Sequence, residues 1–175
     1  VVMDPDGNFI VVWQSINQDG NTWGVFARQF TVNEMTDPSI QPVQNEFQIN
    51  QTVLAPQRHA SVVSDPDGNF VVAWQSHAQD ASGPGVYARV YDNQAVAQTD
   101  EFLVPTWEEG PQTWPVMAIT DEGQLGIFWT GHGTDRAEGV HGRIYDLQEK
   151  PHLYAASVNE GQPPRVIVSN ARTGQ

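Results

Sequence analysis

Asp4-Pro5-Asp6-Gly7-Asn8-Phe9 returns as Asp65-Pro66-Asp67-Gly68-Asn69-Phe70, and a looser third copy, Thr120-Asp121-Glu122-Gly123-Gln124-Leu125, stands at the matching place. The recurrence extends past the hexamer. Phe9-Ile10-Val11-Val12-Trp13-Gln14-Ser15 matches Phe70-Val71-Val72-Ala73-Trp74-Gln75-Ser76 and, more loosely, Leu125-Gly126-Ile127-Phe128-Trp129-Thr130-Gly131. Gly24-Val25-Phe26-Ala27-Arg28-Gln29-Phe30 matches Gly85-Val86-Tyr87-Ala88-Arg89-Val90-Tyr91 and Gly139-Val140-His141-Gly142-Arg143-Ile144-Tyr145. Such a period decides the architecture before any single residue is interpreted, because like sequences fold into like units that stack on one another.

Each unit reads as four strands. In the second copy these are His59 to Ser64, Phe70 to Gln75, Val86 to Tyr91 and Glu101 to Val104. Asp-Gly between the first two is a hairpin signal, since Gly accepts positive φ and Asp bonds its own backbone. The second strand is apolar on both faces and suits a position between neighbouring sheets. The third alternates, with Phe26, Arg28 and Phe30 on one face, then Tyr87, Arg89 and Tyr91, then His141, Arg143 and Tyr145. Four-stranded antiparallel units rich in Gly turns and repeated aromatics predict an all-β, β-propeller-like array.

From Asp6 to Asp67 is 61 residues and from Gly68 to Gly123 is 55, so loops rather than strands absorb the variation. We divide residues 1–175 into repeats 1–58, 59–113 and 114–163, with 164–175 entering the first strand of a fourth at Arg165 to Asn170. Propellers close with about four to eight blades, so the expectation is a larger propeller or an assembly of copies through blade edges. The first residue is Val, with no signal-peptide pattern behind it, which reads as a fragment or a processed product.

The formal charge of −13, with only eight Lys and Arg, argues against nucleic acid as a partner, since phosphate binding needs clustered cations. No apolar run approaches the roughly 20 residues of a membrane-spanning helix. Zero cysteines exclude disulfides and thiolate chemistry. Nucleophile elbows, phosphate loops, His-Glu-x-x-His and dinucleotide fingerprints are all absent, so the expectation is a protein without catalytic function or a required cofactor.

The segments 67–76, Gln79-Asp80 and 85–91 together resemble a repeat found in large secreted or cell-surface bacterial proteins, often adhesin-like chains of many repeats. The resemblance covers nearly the whole chain and is closest in the first two copies. It implies a propeller-like extracellular module and brings no catalytic residues with it. Shortened versions of the integrin-type acidic turn (Asp4 to Gly7) and of the sialidase-type Asp box (Asn17 to Trp23) fit only in part. A glycosidase-like propeller enzyme is therefore a further alternative.

Several positions invite chemistry. Asp4, Asp6, Asp65 and Asp67 are candidate calcium ligands, although Ca²⁺ takes six to eight oxygens and a four-residue turn supplies few; the competing reading is turn chemistry. Trp13, Trp74 and Trp129 are each followed after six residues by Asp19, Asp80 and Asp135, and later by Arg28, Arg89 and Arg143. Such a set suits a sugar or carboxylate site, or an Arg packed among aromatics and paired to the loop Asp. His77 and His132 share a repeat position and make at best a sparse transition-metal pair. What every copy shares is what every blade needs to fold, so function is sought where copies differ. The connection 106–114 carries Trp107, Glu108 and Trp114, and with Trp23 these are the candidate ligand-binding residues. The expected partner is a glycan or a protein, outside the cell or on its surface, and the alternative is a structural subunit of a layer or filament.

Overall fold

The computed structural model describes residues 1–33, 39–80, 82–106, 109–132 and 138–147. They form three antiparallel sheets arranged as the blades of a propeller-like array, without a helix. Blade 1 holds β1 (Val2–Met3), β2 (Phe9–Ile16), β3 (Trp23–Asn33), β4 (Ser39–Pro42) and β5 (Phe47–Gln48), the last two sharing β3 as partner. Blade 2 is β6 (Gln57–Ser64), β7 (Phe70–Asp80), β8 (Gly83–Tyr91) and β9 (Phe102–Leu103) in that order. Blade 3 contributes β10 (Gln112–Ile119), β11 (Gln124–His132) and β12 (Glu138–Asp146). The proposed fourth-copy strand at 165–170 lies outside the described residues.

The repeated hexamer is the turn between the first two strands of a blade. Asp4 accepts hydrogen bonds from the backbone N of Asn8 at 2.9 Å and its Nδ2 at 3.0 Å, and Asp65 does the same for Asn69 at 2.9 and 2.8 Å. Gly7 and Gly68 take φ of +84° and +82°, which a residue with Cβ adopts only under strain. One side-chain pair thus holds the turn closed while Gly supplies its backbone.

The first strands lie side by side, with β6 between β1 and β10. Between blades 1 and 2, Ile10, Val25, Ala27 and Ile49 meet Phe70, Val72, Trp74, Tyr87 and Tyr91. Between blades 2 and 3, Val71, Ala73, Val86, Ala88 and Val104 meet Leu125, Ile127, Trp129 and Tyr145. The strand β7 is buried on both faces because it is enclosed by both seams.

Repeated polar groups stitch the same seams. Arg89 Nη1 and Tyr91 Oη of blade 2 donate to the Ile49 carbonyl of blade 1 at 3.1 and 3.3 Å. Arg143 Nη1 and Tyr145 Oη of blade 3 reach the Val104 carbonyl of blade 2 at 2.9 and 3.4 Å. Each guanidinium also lies over the ring two residues on, 5.7 Å from Phe30, 5.5 Å from Tyr91 and 5.2 Å from Tyr145. The recurring Arg is therefore an inter-blade clamp. Its acceptors are carbonyls rather than the loop Asp: Arg28 Nε donates to Gln44 O at 2.9 Å, and Asp19 Oδ2 is buried without a hydrogen-bond partner. The Asp80 side chain and Asp135 lie outside the described residues.

Candidate functional site

At the end of the blades opposite the Asp-Gly turns, the inner strands β6 and β10 each break register. The shift falls between Arg58 and Ser61 in β6 and between Thr113 and Val116 in β10. In each bulge one non-glycine residue is left-handed, His59 at φ +55° and Trp114 at φ +56°. Gln57 and Gln112 precede them at equivalent places, each fully buried, so the two bulges are copies of one device. Bulges re-aim side chains, and a bulky residue held at positive φ stores about 1–3 kcal/mol of strain. Here both re-aimed side chains point at each other.

The His59 and Trp114 rings lie in tilted contact, with centroids 3.8 Å apart and planes 39° apart. Trp114 nevertheless remains 60% exposed. On the other side of the same bulge, Arg58 lays its guanidinium over the half-buried Trp23 ring at 4.8 Å. A row Trp23, Arg58, His59, Trp114 thus runs across all three blades. Gln14 of blade 1 fastens its middle by accepting the His59 backbone N–H at 3.0 Å.

The row carries two basic side chains, Arg58 and His59, with the Asp19 carboxylate beside Gly24, next to Trp23, at the same end. The His59 pKa is lowered by burial first, then by Arg58 and by His77. His77 lies next to Gln75, 2.7 Å from its Nε2. Among the described residues, the side-chain atoms buried without a partner at this end include Arg58 Nε, Gln75 Oε1, Asp19 Oδ2 and Gln112 Oε1. Asp19 lies against Gly24, where an added Cβ would come within 2.7 Å of Oδ2.

Of the residues singled out from sequence, Trp23 and Trp114 join this row, and Trp107 and Glu108 lie outside the described residues. Trp114 belongs to the inner strand β10 rather than to the connection before it. Arg58 and His59 were missed. Aligning Gln57-Arg58-His59 with Gln112-Thr113-Trp114 would have shown His59 at the position of Trp114, but the bulge that brings the two together leaves no mark in composition.

The aspartates proposed for calcium sit at the far end. Asp4, Asp6 and Asp67 line a cleft of about 590 Å³ between blades 1 and 2, with Phe9, Phe30 and Asn93 among its walls. The carboxylates of Asp4 and Asp65 are each engaged by the turn asparagine. Among the described residues no group of three His, Asp or Glu is placed to hold a metal ion. His77 has His59 as its neighbour, and the His132 side chain lies outside the described residues.

No protein-family model matches the chain. Over 147 residues it is 28% identical to proteins named subtilisin-like protease 5 from Trichophyton tonsurans and Arthroderma benhamiae, an alignment covering 81% of this chain and 34% of each relative. The chain therefore spans about a third of the length of the curated relatives it matches. Among solved structures it is similar to an endo-arabinase from Bacteroides thetaiotaomicron VPI-5482, with a TM-score of 0.53 and 14% identity over 94% of this chain and 59% of that one. At that identity the likeness is one of fold, and it agrees with the β-propeller-like arrangement of the three blades.

Proposed function

We propose that the chain is an extracellular, non-catalytic binding module that recognises a glycan through the row Trp23, Arg58, His59 and Trp114. The observation that carries this reading is Trp114, a large aromatic ring 60% exposed and held at positive φ by a bulge that recurs in the neighbouring blade. Exposed, rigid aromatic faces flanked by polar groups are what ligand recognition uses. The endo-arabinase of similar fold lends a precedent in name for carbohydrate on such a scaffold, at the level of fold analogy alone. A binding role is favoured over hydrolysis because the row itself, Trp23, Arg58, His59 and Trp114, contains no carboxyl group, whereas glycosidic cleavage needs two about 5–9.5 Å apart. Retention on a glycan array tests the reading: the chain should bind and Trp114→Ala should not, with unchanged thermal melting. Binding only to immobilised proteins would replace the glycan with a protein partner, and equal retention of the variant would refute the site.

A second reading, of blades continuing into a larger array, is favoured by Arg28 and Phe30. They repeat the Arg89–Tyr91 pair, and Arg28 makes the matching bond within its own blade, to Gln44 O, as Arg89 does to Thr99 O. On their outer side no described blade stands to supply the carbonyl that Ile49 supplies to Arg89. Sedimentation of the chain with Arg28→Ala beside the unaltered chain tests it. Weakened self-association supports the reading, and identical monomers would dismiss it for this chain.

A further inference from the structure

The fate of the cations separates one arginine from the rest. The described residues hold four arginines, and three of them, Arg28, Arg89 and Arg143, occupy the clamp position and lie over the ring two residues on. Arg58 holds no such place. Its Nε is buried with no partner, as is that of Arg143, but unlike the other three it reaches no carbonyl of a seam or of its own blade among the described residues, and its guanidinium lies over Trp23 in a protein of net charge −13. Leaving a charged donor unsatisfied in a partly buried place is costly, and such a group calls for a partner.

The surroundings specify that ligand. Arg58 is the register partner of Gln75 across β6 and β7, and Gln75 Oε1 is itself buried without a donor. His59 and His77 add further nitrogen groups around the same point. A neutral sugar satisfies acceptors with its hydroxyls but offers a guanidinium no charge. A sugar acid supplies that charge: its carboxylate meets the Arg58 guanidinium, and its ring face rests on an aromatic.

We infer that the row selects acidic glycans, with Arg58 as the residue that binds the sugar carboxylate. This rests on the glycan reading above and adds the substrate class and the residue that discriminates it. Arg58 determines specificity, while the aromatic rings supply affinity common to charged and neutral sugars.

The test uses probes matched in all but charge: oligogalacturonate, hyaluronan oligosaccharide and sialyllactose, each beside its methyl ester, titrated by calorimetry into the chain and into two variants. At least one free acid should bind about tenfold or more tightly than its ester, the difference shrinking with added salt. Arg58→Gln should abolish that difference, so that acid and ester bind the variant alike. Arg58→Lys, which keeps the charge and loses the fork, should retain part of it. Equal binding of acid and ester, or an acid preference that survives Arg58→Gln, overturns the inference and leaves the glycan reading standing. No binding to any probe or to a neutral glycan panel removes both, and Trp114→Ala binding the free acids unchanged removes the glycan site while sparing a carboxylate contact at Arg58.

Discussion

At one end of the blades, the β1–β2 and β6–β7 hairpins are copies down to their hydrogen bonds, Asn8 on Asp4 and Asn69 on Asp65. At the other end, the bulges of β6 and β10 share a backbone, with φ of +55° and +56°, but carry Arg58-His59 in one and Thr113-Trp114 in the other. Where side chains repeat, they close turns and clamp seams. Where only the backbone repeats, the side chains are free to differ, and they assemble the aromatic and basic row. The difference teaches that in a repeat protein a shared backbone device with unshared side chains is the place to look for recognition.

The largest effect expected from breaking the comparison is at Trp74. It is fully buried between blades, its Nε1 donating to Gln57 Oε1 at 3.2 Å. Trp74→Ala should cost about 3–5 kcal/mol in chemical denaturation, where Trp114→Ala should cost under about 0.5 kcal/mol. Equal losses would erase the distinction between folding and recognising positions.

Alkaline pH attacks the seams next. Burial raises Tyr91 and Tyr145 to about 12, against the opposing pull of Arg89 and Arg143. An unfolded tyrosine ionises near 10, so the unfolded chain loses its protons first and stability should fall as pH rises from about 10 towards 12. Melting temperature against pH measures this. Tyr91→Phe with Tyr145→Phe should flatten that slope, and an unchanged slope would place the alkaline sensitivity elsewhere.

Arg89→Ala removes a charged donor to Ile49 O and should cost about 1.5–3 kcal/mol. Asn69→Ala removes the side-chain bonds to Asp65 and from Asn93 N at the opposite end and should cost about 1 kcal/mol, with glycan retention unaltered. A finer contrast lies within the repeated Trp itself. Trp129 Nε1 and Gln112 Oε1 are both unpartnered, while the equivalent Trp74 and Gln57 are bonded. Trp74→Phe should therefore destabilise by about 1–2 kcal/mol more than Trp129→Phe.

Most of the scaffold was legible in the sequence because it resides in local signals that recur. The Asp-Gly turn fixes the hairpin and sets the phase of the strands, and Phe70 to Gln75 and Val86 to Tyr91 lie within β7 and β8. The clamp was half legible. The Arg repeat was visible, but its acceptors are the carbonyls of Ile49 and Val104, and a backbone oxygen has no letter in the sequence. The site was least legible. Trp23 and Trp114 stood out as aromatics at unshared positions, whereas Arg58 and His59 enter only through a one-residue slip in β6 that turns two neighbouring side chains towards different blades.

The central claim, that the side chains the copies do not share do the recognising, meets its most direct test in Trp114→Ala, with melting temperature and glycan binding measured on the same sample. The account predicts a melting temperature within a degree or two of the unaltered chain together with lost binding. A variant that melts markedly lower yet binds as before would contradict it.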